Sequence, residues 1–217
     1  AITGYRIETS LDGATWTQFG ADLAASTTSA TVTGLTNGTV VFIKVSAVNA
    51  SGAGTAAIAS ATPSTVATAP TAVSATPSGA GVLAIAWTAP SSTGGTAISG
   101  YRIQTSIDNG QNWTTSIAST GSTGSSSNVT GLATNVATQV RVSALTASGV
   151  GPYSTVVSAT PLALASSVSG LVASPVDAAL NLTWSTPSST GGAAITGYQI
   201  EKSIDGATWT TVTANTG

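Results

Sequence analysis

Apolar residues along this chain recur at every second position, and nowhere at the three-to-four spacing of a helix. In "VLAIAWT", Leu83, Ile85 and Trp87 share one parity, and in "TQVRVSAL", Val140 and Val142 fall on one side with Gln139 and Arg141 on the other. Successive side chains of an extended strand point to opposite faces, so both stretches predict strands buried on one face. "GYRIQTSIDNGQNW", Gly100 to Trp113, alternates Tyr101, Ile103 and Thr105 against Arg102, Gln104 and Ser106, reaches Asp-Asn-Gly, and resumes at the Trp. Asp, Asn and Gly suit a tight turn, so this stretch predicts a β-hairpin. A strand with one apolar face needs a second sheet over it. About seven short strands with turn signals about every 8 to 12 residues therefore predict a two-sheet antiparallel sandwich.

The hairpin phrase recurs as "GYRIETSLDGATW" from Gly4 to Trp16 and as "GYQIEKSIDGATW" from Gly197 to Trp209. "GVLAIAWTAPSSTGGTAISGY" from Gly81 matches "ALNLTWSTPSSTGGAAITGY" from Ala179. "TVTGLTNGTVVFIKVSAVNASGAG" from Thr31 matches "NVTGLATNVATQVRVSALTASGVG" from Asn128. The period is about 97 residues, the size of one small domain. It divides the chain into residues 1–63, the C-terminal part of one unit; 64–161, a complete unit; and 162–217, the N-terminal part of another. The connections "ATPSTVATAPTAV" and "ATPLALASSVSGLV" are short and rich in Ala, Ser and Thr around Pro, which predicts extended links of limited reach. Because the closing residues rewrite the opening ones, neither terminus is expected to be a native end. Both partial units are expected to take missing strands from a continuing chain or from a neighbour.

Several landmarks occur in order and at domain spacing: Trp87 and Trp184 near strand ends, the "PSSTGG" loop, the "GY-x-I" strand, "TGL" at Thr33–Leu35 and Thr130–Leu132, "FIKVSAVNASG", and the closing "VVSATP". Together they resemble tandem fibronectin type III domains of bacterial secreted or cell-surface repeat proteins. The resemblance implies an all-β fold of immunoglobulin-like antiparallel sandwiches, one complete and two partial, with Trp87 and Trp184 as core anchors. Two departures qualify it. The tyrosine that the family carries a few residues after "GL" is replaced by Val41 and Thr138, so its corner hydrogen bond should be lost or replaced. The loops "NASGAG" and "TASGVG" carry no Arg-Gly-Asp, so no integrin role carries over.

Composition narrows the functions. Hydrophobic residues make up 41% of the chain, enough to close a core in each unit, while charged residues are only 6%. With 5 basic and 7 acidic residues and no histidine, little is available to neutralise phosphates, which argues against a nucleic-acid partner. A net charge of -2 gives weak colloidal repulsion, so the surface is expected to be glycosylated, packed in an assembly, or diluted in a longer array. The absence of cysteine removes disulfides and thiolate chemistry and is compatible with export. No apolar stretch reaches the roughly 18 residues of a membrane span.

Chemistry is sparsely supplied. Without His or Cys, a nucleophile would need a Ser-Lys or carboxylate arrangement, yet Lys44 and Lys202 stand in no catalytic signature. Glu8 and Asp12 share one hairpin, but the counterpart of Glu8 in the complete unit is Gln104, so no acid pair is kept. Asp12, Asp108 and Asp205 read as turn residues rather than calcium ligands, and "STGG" joins two strands without a helix to hold an anion. No enzyme, metal or cofactor is expected. Trp16, Trp113 and Trp209 follow the hairpin turn and are open to two readings: packing on the neighbouring strand, or a spaced row of aromatic platforms for a partner or glycan. Arg6 and Arg102, at outward parity with Arg141, are further candidate contacts. Asn37, Asn49, Asn112, Asn128 and Asn181 each begin a glycosylation sequon. The function expected is a non-enzymatic structural or adhesive array at the cell surface or outside the cell, a stalk or fibre. Its expected partners are neighbouring repeats, copies of itself, and cell-surface glycans. The alternative is a set of carbohydrate- or partner-binding accessory modules attached to a secreted hydrolase.

Overall fold

The computed structural model describes residues 1–216, and its regular elements are all strands. Six of them form one sheet: β1 (Gly4–Ser10), β2 (Thr17–Gln18), β3 (Leu23–Ala24), β4 (Val41–Asn49), β5 (Gly52–Ala53) and β6 (Ala57–Ala61). β1 and β4 pair antiparallel from Gly4↔Val48 to Ser10↔Phe42; β2 and β3 extend the sheet beyond β1, and β5 and β6 beyond β4.

The middle of the chain folds into two facing sheets. Their strands are β7 (Thr71–Gly79), β8 (Val82–Thr88), β9 (Ile98–Ser106), β10 (Thr114–Ile117), β11 (Ser126–Val129), β12 (Thr138–Thr146), β13 (Gly149–Tyr153) and β14 (Val157–Ala159). One sheet runs β11-β8-β7, and the other runs β10-β9-β12-β13 with β14 also on β12. The parity read from the sequence decides what lies between them. Leu83, Ile85 and Trp87 from one sheet meet Tyr101, Ile103, Val140, Val142 and Ala144 from the other, all buried in a single cluster. Removing each large apolar side chain from water favours folding by about 1.5 to 3 kcal/mol. Trp87 packs on Tyr101 with ring centroids 4.9 Å apart and planes tilted by 59°. The expected all-β, immunoglobulin-like antiparallel sandwich is the fold observed.

Four further strands follow: β15 (Ser169–Val176), β16 (Ala179–Ser185), β17 (Ile200–Lys202) and β18 (Thr210–Thr213). They form two separate hairpins, β15–β16 and β17–β18. Trp184 meets Tyr198 across them at 5.2 Å and 67°, repeating the Trp87–Tyr101 contact, but Trp184 is only half-buried.

The corner lacking the tyrosine is closed by other means. Thr138 is fully buried and its hydroxyl donates to the Val136 carbonyl at 3.2 Å, a local bond in place of a long-armed one. The Leu132 amide beside it donates to the Gly81 carbonyl in the β7–β8 turn at 3.0 Å. Gly81 has φ +67°, and a Cβ there would come 2.9 Å from the Leu132 carbonyl oxygen, so the turn needs glycine.

The connections between sheets are held by backbone hydrogen bonds that repeat. The Gly38 amide donates to the Pro63 carbonyl at 2.8 Å and the Thr65 amide to the Gly94 carbonyl at 2.8 Å. One repeat later the Asn135 amide donates to the Pro161 carbonyl at 2.9 Å and the Ala163 amide to the Gly191 carbonyl at 2.8 Å. Gly38 and Asn135 both adopt left-handed backbone, at φ 82° and 59°. Few free residues remain between the bonded points, which gives the limited reach expected of these links.

Candidate functional site

Each copy of the repeated phrase builds the same small loop. After β1, the Asp12 carboxylate accepts the amides of Thr15 at 2.7 Å and Ala14 at 2.8 Å, with the hydroxyls of Ser10 at 2.8 Å and Thr15 at 3.0 Å. These bonds, the Thr15 amide first, hold its pKa well below the ordinary carboxylate range. Asp205 is held down in the same way by the Thr208 and Ala207 amides and the Ser203 hydroxyl. Asp108 accepts the Asn112 amide at 2.9 Å, the Ser106 hydroxyl at 2.7 Å and the Asn112 side-chain amide at 2.7 Å, which lower its pKa to about 2. All three carboxylates thus accept hydrogen bonds from their own turn. Among the described residues no three acidic side chains converge as a metal site would require.

Two of the tryptophans that follow the turn, Trp16 and Trp113, lie against a cation that reaches across from β4 or β12, one strand beyond the hairpin's first strand. Trp16 carries the Lys44 ammonium 4.7 Å from its ring centroid, and Lys44 pairs with Glu8 at 3.2 Å. In the middle sandwich the Arg141 guanidinium lies 4.0 Å from the Trp113 centroid and 4.1 Å from that of Tyr153. Its Nε and Nη2 donate to the Gln104 Oε1 at 3.0 and 2.7 Å. Glu beside Lys in the first sheet becomes Gln beside Arg in the middle one, so these are coupled structural pairs. Trp209 is exposed, since β17 pairs only with β18.

The two candidate arginines behave differently. Arg6 makes a two-pronged ion pair with Asp22, at 2.9 Å for both bonds, which pushes its pKa up and that of Asp22 down. Arg102 has a buried Nε without a hydrogen-bond partner, and Ser143, directly across in β12, has a buried Oγ likewise unpartnered. Trp16, Trp113, Arg6 and Arg102 therefore do not converge on one surface pocket; they recur unit by unit. All five sequon asparagines are exposed, although Asn112 donates its side-chain amide to Asp108 and Asn49 accepts the Ser51 amide at 2.8 Å.

One feature escaped the sequence reading. Leu11, Ile107 and Ile204, each immediately before the turn aspartate, stand exposed at the hairpin tip. The signal was their recurrence at one position of the phrase. Two concavities lie on the first sheet, a groove of about 570 Å³ lined by Thr9, Ser10, Leu35 and Val41 and one of about 320 Å³ lined by Tyr5, Ile7, Leu23 and Val45, and a third of about 410 Å³ lies at the last hairpin beside Lys202, Ile204 and Thr210.

Residues 68–160 match the family model of the fibronectin type III domain. No curated protein matches the chain. Among solved structures, domains A168-A170 from titin are 20% identical with a TM-score of 0.44, over 55% of this chain and 40% of that one. The FN1-FN3 domains of chicken CNTN1 are 18% identical with a TM-score of 0.42, over 73% of this chain and 55% of that one. This chain thus spans about half or less of those two structures.

Proposed function

With residues 68–160 forming a fibronectin type III domain, we propose that the protein is a non-enzymatic structural array of such units outside the cell, a stalk or fibre of a bacterial surface. Domains of this family occur typically in extracellular or surface proteins and are generally non-catalytic modules. The observation that carries the proposal is the repeated junction. The pair of backbone bonds at Gly38–Pro63 and Thr65–Gly94 recurs at Asn135–Pro161 and Ala163–Gly191. A link bonded to the unit on each side transmits orientation from one unit to the next, and the same pair of bonds recurs at both links. That is what a spacer of fixed length needs, whereas a tethered binding module works on a slack linker.

The outward side chains support the same reading. The turn carboxylates are used in loop hydrogen bonds, and Trp16 and Trp113 each hold a cation of their own sheet against the ring. Little free chemistry is left to a ligand at these positions. Small-angle scattering of the chain tests the proposal: an elongated particle with the cross-section of one sandwich is expected. A compact particle with the units folded against one another would overturn it.

A further inference from the structure

We propose that the outward face of the middle sandwich binds a carboxylated polysaccharide, a chain of uronic acids, with Arg102 as the group that grips the carboxylate. This goes beyond the structural array and does not depend on it. The first sheet is the template. There Arg6 directs its Nε and Nη2 at the two carboxylate oxygens of Asp22, both at 2.9 Å, and Lys44 pairs with Glu8 at 3.2 Å. Each of these two cations has an acid of its own unit. The middle sandwich keeps both cations, as Arg102 and Arg141, and loses both acids: Gln104 stands where Glu8 does, and Ser119 where Asp22 does. The places correspond in space as well as in sequence. A Cβ on Gly4 would lie 4.0 Å from that of Asp22, and one on the matching Gly100 would lie 2.8 Å from the Ser119 Oγ. The sole acid within residues 64–161 is Asp108, whose carboxylate is bound in its own turn.

The exchange of acids leaves a guanidinium fork without its ligand. Arg141 is held by the Gln104 Oε1 and by the rings of Trp113 and Tyr153. Arg102 is not. Among the described residues its guanidinium has no hydrogen bond or ion pair, and its Nε, the atom that Asp22 satisfies at Arg6, is buried without a partner. A buried donor with no acceptor disfavours the resting arrangement. An incoming carboxylate therefore acts twice, by making charge-assisted, two-pronged bonds and by relieving the orphaned Nε. Arg102 meets it by turning its fork to the pose that Arg6 holds, in the room left by a serine in place of an aspartate. Arg141, diagonal to Arg102 across the β9–β12 register, adds a second positive charge. The carrier follows from the surroundings. Ser119 is exposed, Gln104 donates its side-chain amide to the Thr115 hydroxyl, and two aromatic rings flank Arg141. Hydroxyls, side-chain amides and amphipathic rings suit sugar hydroxyls and sugar faces, whereas the core of a protein interface is apolar. A single carboxylate on a surface arginine is held weakly, while a polymer with one on every sugar keeps many within reach.

Titration calorimetry of the whole chain against polygalacturonate tests this. Binding is expected, weakening as salt is added, and the fully methyl-esterified polymer, with the same sugars but no charge, should not bind. Arg102→Gln should lower the affinity about tenfold or more, the loss of a charge-assisted pair. Ser119→Asp restores the internal carboxylate and should abolish binding while the melting of the middle sandwich stays unchanged or rises, which separates a filled fork from a damaged fold. Poly-glutamate, with the same carboxylate on a peptide, should bind about tenfold more weakly or less. A chain that ignores polygalacturonate, an esterified polymer that binds as well, either variant keeping full affinity, or poly-glutamate binding as tightly would overturn the proposal. None of these outcomes bears on the elongated particle expected in scattering, so the array reading stands or falls separately.

Discussion

The Arg141 guanidinium lies 4.0 Å from the centre of the Trp113 ring and almost as close to Tyr153, joining β12 and β13 to the residue that leads into β10. A cation over an aromatic face is worth about 0.5 to 1 kcal/mol when exposed and about 2 kcal/mol or more when desolvated. Arg141→Met keeps most of the stem and removes the charge, so it should lower the stability of the middle sandwich by about 2 kcal/mol. A double-mutant cycle with Trp113→Leu in denaturant unfolding should return a coupling on the order of 1 kcal/mol. Strict additivity would show that the stack carries no energy.

Trp87 and Trp184 occupy one repeat position in two degrees of enclosure. Trp87 is buried between two complete sheets, whereas Trp184 faces two separate hairpins and is half-buried. Trp87→Ala should cost about 3 to 5 kcal/mol and bring down the middle transition in calorimetry, as truncation of an enclosed aromatic residue does. Trp184→Ala should cost clearly less and leave that transition in place. Equal losses at the two positions would contradict the difference in enclosure.

That contrast also shows what the sequence could and could not reveal. Alternation alone placed Leu83, Ile85 and Trp87 facing Ile103 and Val142, because a strand has only two faces and one of them must avoid water. The turn role of Asp108 was legible for the same reason: its partners Ser106 and Asn112 lie within four residues. The partner of Trp113 was not. Arg141 is remote in sequence, and the β9–β12 register that brings Gln104 opposite it has to be known first. The junction bonds were hidden more deeply, since they run between backbone groups, which side-chain pattern does not encode.

Asp108 links stability to acid. Its pKa is about 2 in the fold against an ordinary 3.8, chiefly through the Asn112 amide and the Ser106 hydroxyl. A carboxylate with a depressed pKa stabilises the fold fully above its unfolded value, and the contribution fades as pH falls through the folded one. The middle sandwich should therefore lose stability from about pH 4 down to about pH 2. Asp108→Asn should flatten that part of the profile in melting experiments. An unchanged acid slope in the variant would remove Asp108 as its source.

The two junctions differ at one pair of glycines, and this separates backbone strain from steric contact. Gly95 and Gly192 hold the same left-handed backbone, φ 92° and 94°, so valine at either site bears a similar conformational penalty. Their surroundings are not alike. A Cβ on Gly95 would run into the Gly38 backbone of the neighbouring unit, while a Cβ on Gly192 would meet only the Leu162 side chain, 3.1 Å from its Cδ2, which can turn away. Gly95→Val should therefore push the first sheet away from the middle sandwich, changing the scattering profile and speeding amide exchange at Gly38. Gly192→Val should leave the first junction untouched and its own nearly so. If both variants gave the same scattering change, the close approach of Gly38 and Gly95 would not be what sets the angle between the units.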